Sequence, residues 1–349
     1  MVSKTDLKKR IFISAAVLLP VCLLIFFLNI PAYHEIPVTG EIYCFDTLCS
    51  ISIYNMKSMT KMNAQRAVND ALAECTRYEN MLSTTKEGSD IYRLNHAKGE
   101  PVECSVDTIK LLEMGKEAGL ISDGRFDITI GRVTSLWDFH SSSPELPDKE
   151  EIEKALETVN YDWIGTSGNK AVLLNEEAAV DLGGIAKGYV DDRLCEFLRE
   201  RSVTSAVINL GGNVCVIGGK TTPASVGSKS ESFKVGIEAP FSNRRELLQT
   251  VEVNDSTLVT SGVYERYFEK DGVRYHHVID SKTGYPADTD LLSVTVLGPS
   301  GSSADCDAYS TICLILGEEE GMKLIESKDG FEALFARDDG SVVTTKGWP

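Results

Sequence analysis

Three segments in the second half of the chain carry residues whose types and spacing could handle a phosphorylated ligand. In Asp181-Leu-Gly-Gly-Ile-Ala-Lys-Gly188, paired glycines follow an apolar run and open an amphipathic helix whose Val190, Leu194, Phe197 and Leu198 share one face. Glycines let the backbone come close to a ligand, free N–H groups at a helix start attract anions, and Lys187 adds a positive charge. A diphosphate would suit such a turn, although an ordinary tight turn with a solvated lysine reads equally well. In Ser303-Ala-Asp-Cys-Asp-Ala-Tyr-Ser-Thr311, Asp307 and Thr311 stand four residues apart and share a helix face, read here as an exposed one. A carboxylate and a hydroxyl, completed by a backbone carbonyl and phosphate oxygens, make the incomplete all-oxygen shell that Mg²⁺ uses when its substrate supplies the rest. Taken alone, an Asp305 or Asp307 that simply caps the helix is the commoner meaning of that pattern. The third segment, Tyr275-His-His-Val-Ile-Asp-Ser-Lys-Thr-Gly-Tyr-Pro286, puts two histidines on a strand, where they must face opposite ways. One could position or deprotonate an attacking hydroxyl, and a hydrogen-bonded core histidine is the plain alternative. Zinc is not indicated, because the chain has 5 histidines and none is matched with a cysteine or carboxylate at ligand spacing.

These segments need a scaffold, and the rest of the chain describes one. With 349 residues, 42% hydrophobic and 25% charged, the chain is long enough to bury a sizeable core. A formal net charge of −17 argues against nucleic acid as a partner, since binding a phosphate backbone needs clustered cations. It does not exclude an anionic cofactor held by a metal ion and a few local donors. Lys4, Lys8, Lys9 and Arg10 form a basic segment (residues 1–10) before an uncharged apolar stretch at residues 11–30. Twenty residues at about 1.5 Å rise span about 30 Å, one bilayer core, with the cations on the cytoplasmic side. A retained single-pass anchor is preferred over a cleaved signal, because no small-residue cleavage site follows Ile30. Residues 31–40 read as a tether, and residues 41–349 as one catalytic domain lying outside the cytoplasm. Within it, alternation from Ile42 to Tyr54 indicates a hairpin, and apolar spacing predicts helices at about Lys61–Leu82, at Thr108–Ala118 and through Ile152–Val159. Strands are expected at Ala171–Val180, Ala206–Ile217, Phe233–Glu238, Leu248–Val253, Tyr275–Ile279 and Leu292–Leu297. Because strands come in runs, the fold class is α+β. The 9 cysteines show no regular spacing; Cys44 and Cys49 could bridge across the hairpin, and no disulfide is assigned.

Taken in order, the motifs resemble the ApbE family of flavin transferases over roughly residues 40–337. They are Glu79-Asn-Met-Leu-Ser-Thr84 with Ser89-Asp-Ile-Tyr-Arg-Leu-Asn95, Gly124-Arg-Phe-Asp-Ile-Thr-Ile-Gly131 with Leu136-Trp137, and Asp181 to Gly188. Then come Ile208-Asn-Leu-Gly-Gly-Asn213, Thr260-Ser-Gly-Val-Tyr-Glu-Arg-Tyr267 running into His277-Val-Ile-Asp280 and Thr283-Gly284, and Asp307-Ala-Tyr-Ser-Thr311. The resemblance implies an ApbE-like α+β domain and a Mg²⁺-dependent reaction in which FAD is cleaved. FMN would pass to a Thr or Ser hydroxyl of a target flavoprotein, such as a subunit of a membrane electron-transfer complex, while AMP leaves. It further implies a metal held by the Gly184 carbonyl, Asp307 and Thr311, FAD lined by Phe126, Asp127, Asp181 and Lys187, and His277 acting near the transferred phosphate. A Mg²⁺-dependent FAD pyrophosphatase and a non-catalytic FAD-binding protein are the competing activities. Thr85, Val263 and Ser281 differ from residues common at those positions in the family.

Overall fold

Alternation between buried and exposed side chains gives β1 (Val38–Cys44) and β2 (Thr47–Asn55), joined as an antiparallel hairpin. The computed structural model describes residues 37–55, 60–139, 141, 143–220, 230–241 and 246–349. The expected anchor lies outside them, and among the described residues no helix is long and apolar enough to cross a membrane. Across the hairpin Cys44 faces Thr47 and Cys49 faces Ile42, so the two thiols are not opposite one another, and both are unpaired.

Thr60 caps α1 (Lys61–Leu82) by accepting from the Asn63 amide, and Ala64, Val68, Ala71, Cys75 and Leu82 bury one stripe of the helix. Next come α2 (Asp90–Asn95), β3 (Val102–Glu103), α3 (Val106–Ile121), one-turn α4 (Gly131–Thr134), α5 (Lys149–Leu156), β4 (Ile164–Ser167) and β5 (Lys170–Leu173). The apolar run expected as one strand to Val180 stops at Leu173. There Asn175 accepts from the Glu177 amide and folds a turn, leaving Ala179 a single parallel bridge to Ile130. The chain continues through α6 (Ala186–Glu200), β6 (Ser205–Leu210), β7 (Asn213–Ile217), β8 (Phe233–Glu238), β9 (Leu247–Val253), β10 (Ser256–Gly262), β11 (Tyr267–Lys270) and β12 (Val273–His276). It ends with β13 (Leu291–Pro299), α7 (Ser303–Leu316), α8 (Glu318–Glu326), β14 (Glu332–Arg337) and β15 (Val342–Thr344).

The main sheet has eight strands in the order β1-β2-β6-β7-β10-β13-β14-β15, and every neighbouring pair is antiparallel. Its two faces bury different partners. Ile51, Ile208, Cys215, Val259 and Val294 join one large core with α1, α6 and α7, while Val216, Leu258 and Leu334 pack against Phe233, Ile237, Val251 and Val253 of the β8–β9 ribbon. Each fully buried large aliphatic contributes about 1.5–3 kcal/mol over its exposed state. The disulfide Cys195–Cys215 joins α6 to β7.

Neither α6 nor α7 caps its own N-terminus with a side chain. Each instead receives a carboxylate from the other. Asp192 on α6 accepts from the Ser303 and Ala304 amides at 2.8 and 3.0 Å, and Asp307 on α7 accepts from the Gly188 amide at 2.9 Å. Gly188 makes this approach feasible, since a Cβ there would sit 2.2 Å from the Ser303 carbonyl oxygen.

Candidate active site

The glycine turn feeding α6 is held by Asp181, whose Oδ1 accepts from the Gly183 amide at 2.8 Å and whose Oδ2 accepts from the Thr134 hydroxyl at 2.9 Å. Gly184 then passes close to an aromatic ring: a Cβ there would meet Phe126 Cε2 at 2.7 Å, with the Thr311 methyl at 3.7 Å. The turn thus lies directly beside α7 although 127 residues separate Gly184 from Thr311 in sequence (311 − 184). The eight residues singled out in the sequence, Phe126, Asp127, Asp181, Gly184, Lys187, His277, Asp307 and Thr311, all line one cavity of about 780 Å³. That size is in the usual range of small-molecule sites.

Their environments differ. Asp307 was expected on an exposed helix face, yet it is 2% exposed, because α7 is enclosed by α6, β10 and β13. Burial raises its pKa, against the opposing effects of the Lys187 charge, the Gly188 amide and the nearby Asn213 amide. Asn213 is itself 1% exposed. Asp127 is buried with its carboxylate already engaged, Oδ1 by the amide and hydroxyl of Thr129 and Oδ2 by the Tyr161 amide, so its carboxylate shapes the loop. Its own amide donates to the Ser281 hydroxyl, which explains why a serine serves at that position.

The histidines point apart. His276 is core-facing, with Nε2 on the Ala287 carbonyl, whereas His277 lines the cavity with Nδ1 on the Arg266 carbonyl at 3.2 Å. A carbonyl oxygen only accepts, so Nδ1 of His277 carries the proton and Nε2 keeps its lone pair. Burial, reinforced by the Arg266 and Lys187 charges, pushes the ring pKa down to about 3, so it is neutral at physiological pH. The strand expected to run to Ile279 ends at His276, and Ile279 instead makes a single bridge to Pro286 around the tight Gly284 turn.

Several lining residues were not singled out beforehand. Ser261 on β10, the cations Arg132 and Arg266, and an aromatic wall of Trp137 and Phe139, stacked with ring centroids 5.9 Å apart, belong to the same cavity. Trp137 is anchored by its indole N–H on the Gly284 carbonyl. Ser261 and Trp137 lay inside motifs visible in the sequence, but only their neighbours across the fold reveal what they touch. Thr85 lines the same cavity, and Val263 is buried.

The family model described as "ApbE family" matches residues 45–335. The chain is 34% identical to an FAD:protein FMN transferase of Klebsiella pneumoniae over 270 residues, covering 76% of this chain and 81% of that one. It is 32% identical to an FAD:protein FMN transferase of Treponema pallidum over 310 residues, covering 86% and 84%. Among solved structures, the ApbE protein of Thermotoga maritima superposes with a TM-score of 0.78 at 28% identity, covering 89% of this chain and 97% of that one. The apo flavinyl transferase ApbE of Pseudomonas stutzeri gives 0.76 at 26% identity, covering 89% and 95%. Motif order, sheet topology and these likenesses agree: the chain belongs to the ApbE family.

Proposed function

We propose that this chain is an FAD:protein FMN transferase, which moves FMN from FAD to a Thr or Ser hydroxyl of an acceptor flavoprotein as a phosphoester and releases AMP. The observation that carries the reading is the convergence of a glycine turn, Lys187, His277 and the Asp307–Thr311 pair on one cavity. The relatives' activity supports it.

A Mg²⁺ ion fits the residues present. The donors are all oxygen, and the Asp307 carboxylate is buried at the cavity wall beside Lys187, with one oxygen on the Gly188 amide. Gly184 through its carbonyl, Asp307 and Thr311 would hold the ion. Once bound, it would neutralise phosphate charge, the main requirement of phosphoryl transfer.

The chain's own groups do the rest. Lys187 binds the diphosphate beside the start of α6. Phe126 and the Trp137–Phe139 wall offer apolar surface to the flavin, and Asp181 holds the glycine turn in place. His277, neutral with a free Nε2, takes the proton of the acceptor hydroxyl as it attacks phosphorus. Its basicity rises once a bound diphosphate offsets the Lys187 charge. The N-terminal apolar stretch supports a membrane-anchored enzyme with its catalytic domain (residues 41–349) outside the cytoplasm. Its acceptors would then be exported or membrane-bound electron-transfer subunits.

Product analysis after incubation with FAD, Mg²⁺ and a candidate acceptor tests this. AMP with FMN bound to the acceptor is the expected outcome, suppressed by EDTA. AMP with only free FMN would mark a pyrophosphatase, and FAD binding without AMP a carrier.

A further inference from the structure

We propose that Ser261 is a positioning residue that takes the Thr311 hydroxyl proton, so that Thr311 Oγ1 presents a lone pair, not a proton, to the metal. The inference rests on the Mg²⁺ reading given above and deepens it.

Four oxygens form a chain. The Ser310 hydroxyl lies 3.0 Å from the Asp307 carbonyl, the Ser261 hydroxyl 2.8 Å from that of Ser310, and the Thr311 hydroxyl 3.1 Å from that of Ser261. Each hydroxyl has one proton, and the carbonyl has none, which fixes every direction. Ser310 must donate to the Asp307 carbonyl, so it can only accept from Ser261. Ser261, its proton committed to Ser310, can only accept from Thr311. Any other arrangement would set two oxygens lone pair to lone pair at hydrogen-bond distance, within a segment where Ser310 is fully buried. The proton of Thr311 is therefore spent on Ser261, and what remains toward the cavity is an acceptor.

Hard divalent cations need that polarity. A hydroxyl free to rotate presents its proton to the ion part of the time, whereas one anchored as a donor presents lone pairs throughout. The chain also ends on the backbone of Asp307, the other side-chain ligand, so one hydrogen-bonded string sets both. Ser261 reaches this point from β10, whereas Asp307, Ser310 and Thr311 belong to α7, and the string consequently pins the helix to the sheet at the site.

Mn²⁺ binding to the full chain, read from loss of the free-ion signal in electron paramagnetic resonance, tests the proposal without turnover. Ser261→Ala is expected to weaken Mn²⁺ affinity about 10–100-fold, the usual effect of removing such an outer partner. Ser261→Thr, which keeps the hydroxyl, should restore it. Wild-type binding with unchanged affinity in Ser261→Ala would overturn the inference and leave the metal reading standing. Absence of Mn²⁺ binding by the wild type would overturn the metal reading, and the inference with it.

Discussion

The starts of α6 and α7 are built alike and used differently. Each is capped by an aspartate from the other helix, but Asp192 satisfies two amides at the α7 start and takes no part in the cavity, whereas Asp307 satisfies one amide at the α6 start and lines it. Burial raises both carboxyl groups, Asp192 to about 6, where the two amides it caps pull against the rise. Asp307 answers instead to Lys187, to one backbone amide and to the Asn213 side chain. The lesson is one of placement: a cap saturated in the core is a clasp, whereas the same cap facing a cavity would, on the metal reading proposed above, serve as a ligand.

The sharpest way to break this contrast is to change Asp307. Asp307→Asn keeps an oxygen for the Gly188 amide and removes the charge. Transfer should fall at least about 10³-fold, roughly 4 kcal/mol, while the melting curve moves little; an active variant would remove Asp307 from the metal site. Asp192→Ala should show the reverse. Stranding two buried amides should lower stability by about 3 kcal/mol in denaturant titration and leave Mn²⁺ affinity within a factor of two or so. A large loss of Mn²⁺ affinity in the folded variant would erase the distinction between clasp and ligand.

Lys187→Ala should weaken FAD binding by about 30-fold, near 2 kcal/mol, in a flavin-fluorescence titration, and unchanged affinity would deny it a phosphate contact. The histidines repeat the contrast between a core-facing and a cavity-facing member. His276 has its pKa lowered from 6.5 to about 4, so between those values the unfolded chain binds the extra proton, and stability falls as pH drops through that window. Between pH 7 and pH 5 this amounts to up to about 2 kcal/mol, and His276→Gln should flatten the wild-type slope in urea melts at the two pH values. An unchanged slope would mean that the ring is charged in the folded state.

Local elements were legible because their signals are local. The stripe from Val68 to Leu82 specifies α1, and alternation specifies the first hairpin. Motif order carried the resemblance to the family and hence the candidate residues. What sequence could not convey was distance across the fold: the Asp307 bond to Gly188 spans 119 residues, and the Ser261 bond to Thr311 spans 50. The burial of Asp307 was misread for the same reason. Periodicity places it on a helix face, but only packing against α6, β10 and β13 decides what covers that face.

One measurement bears most directly on the claim that this cavity transfers FMN. A candidate acceptor would be weighed intact after incubation with FAD and Mg²⁺, with either the wild-type chain or Asp307→Asn. The account predicts an acceptor heavier by one phosphoester-linked FMN with the wild type and an unmodified acceptor with the variant. Equal labelling by both would contradict it.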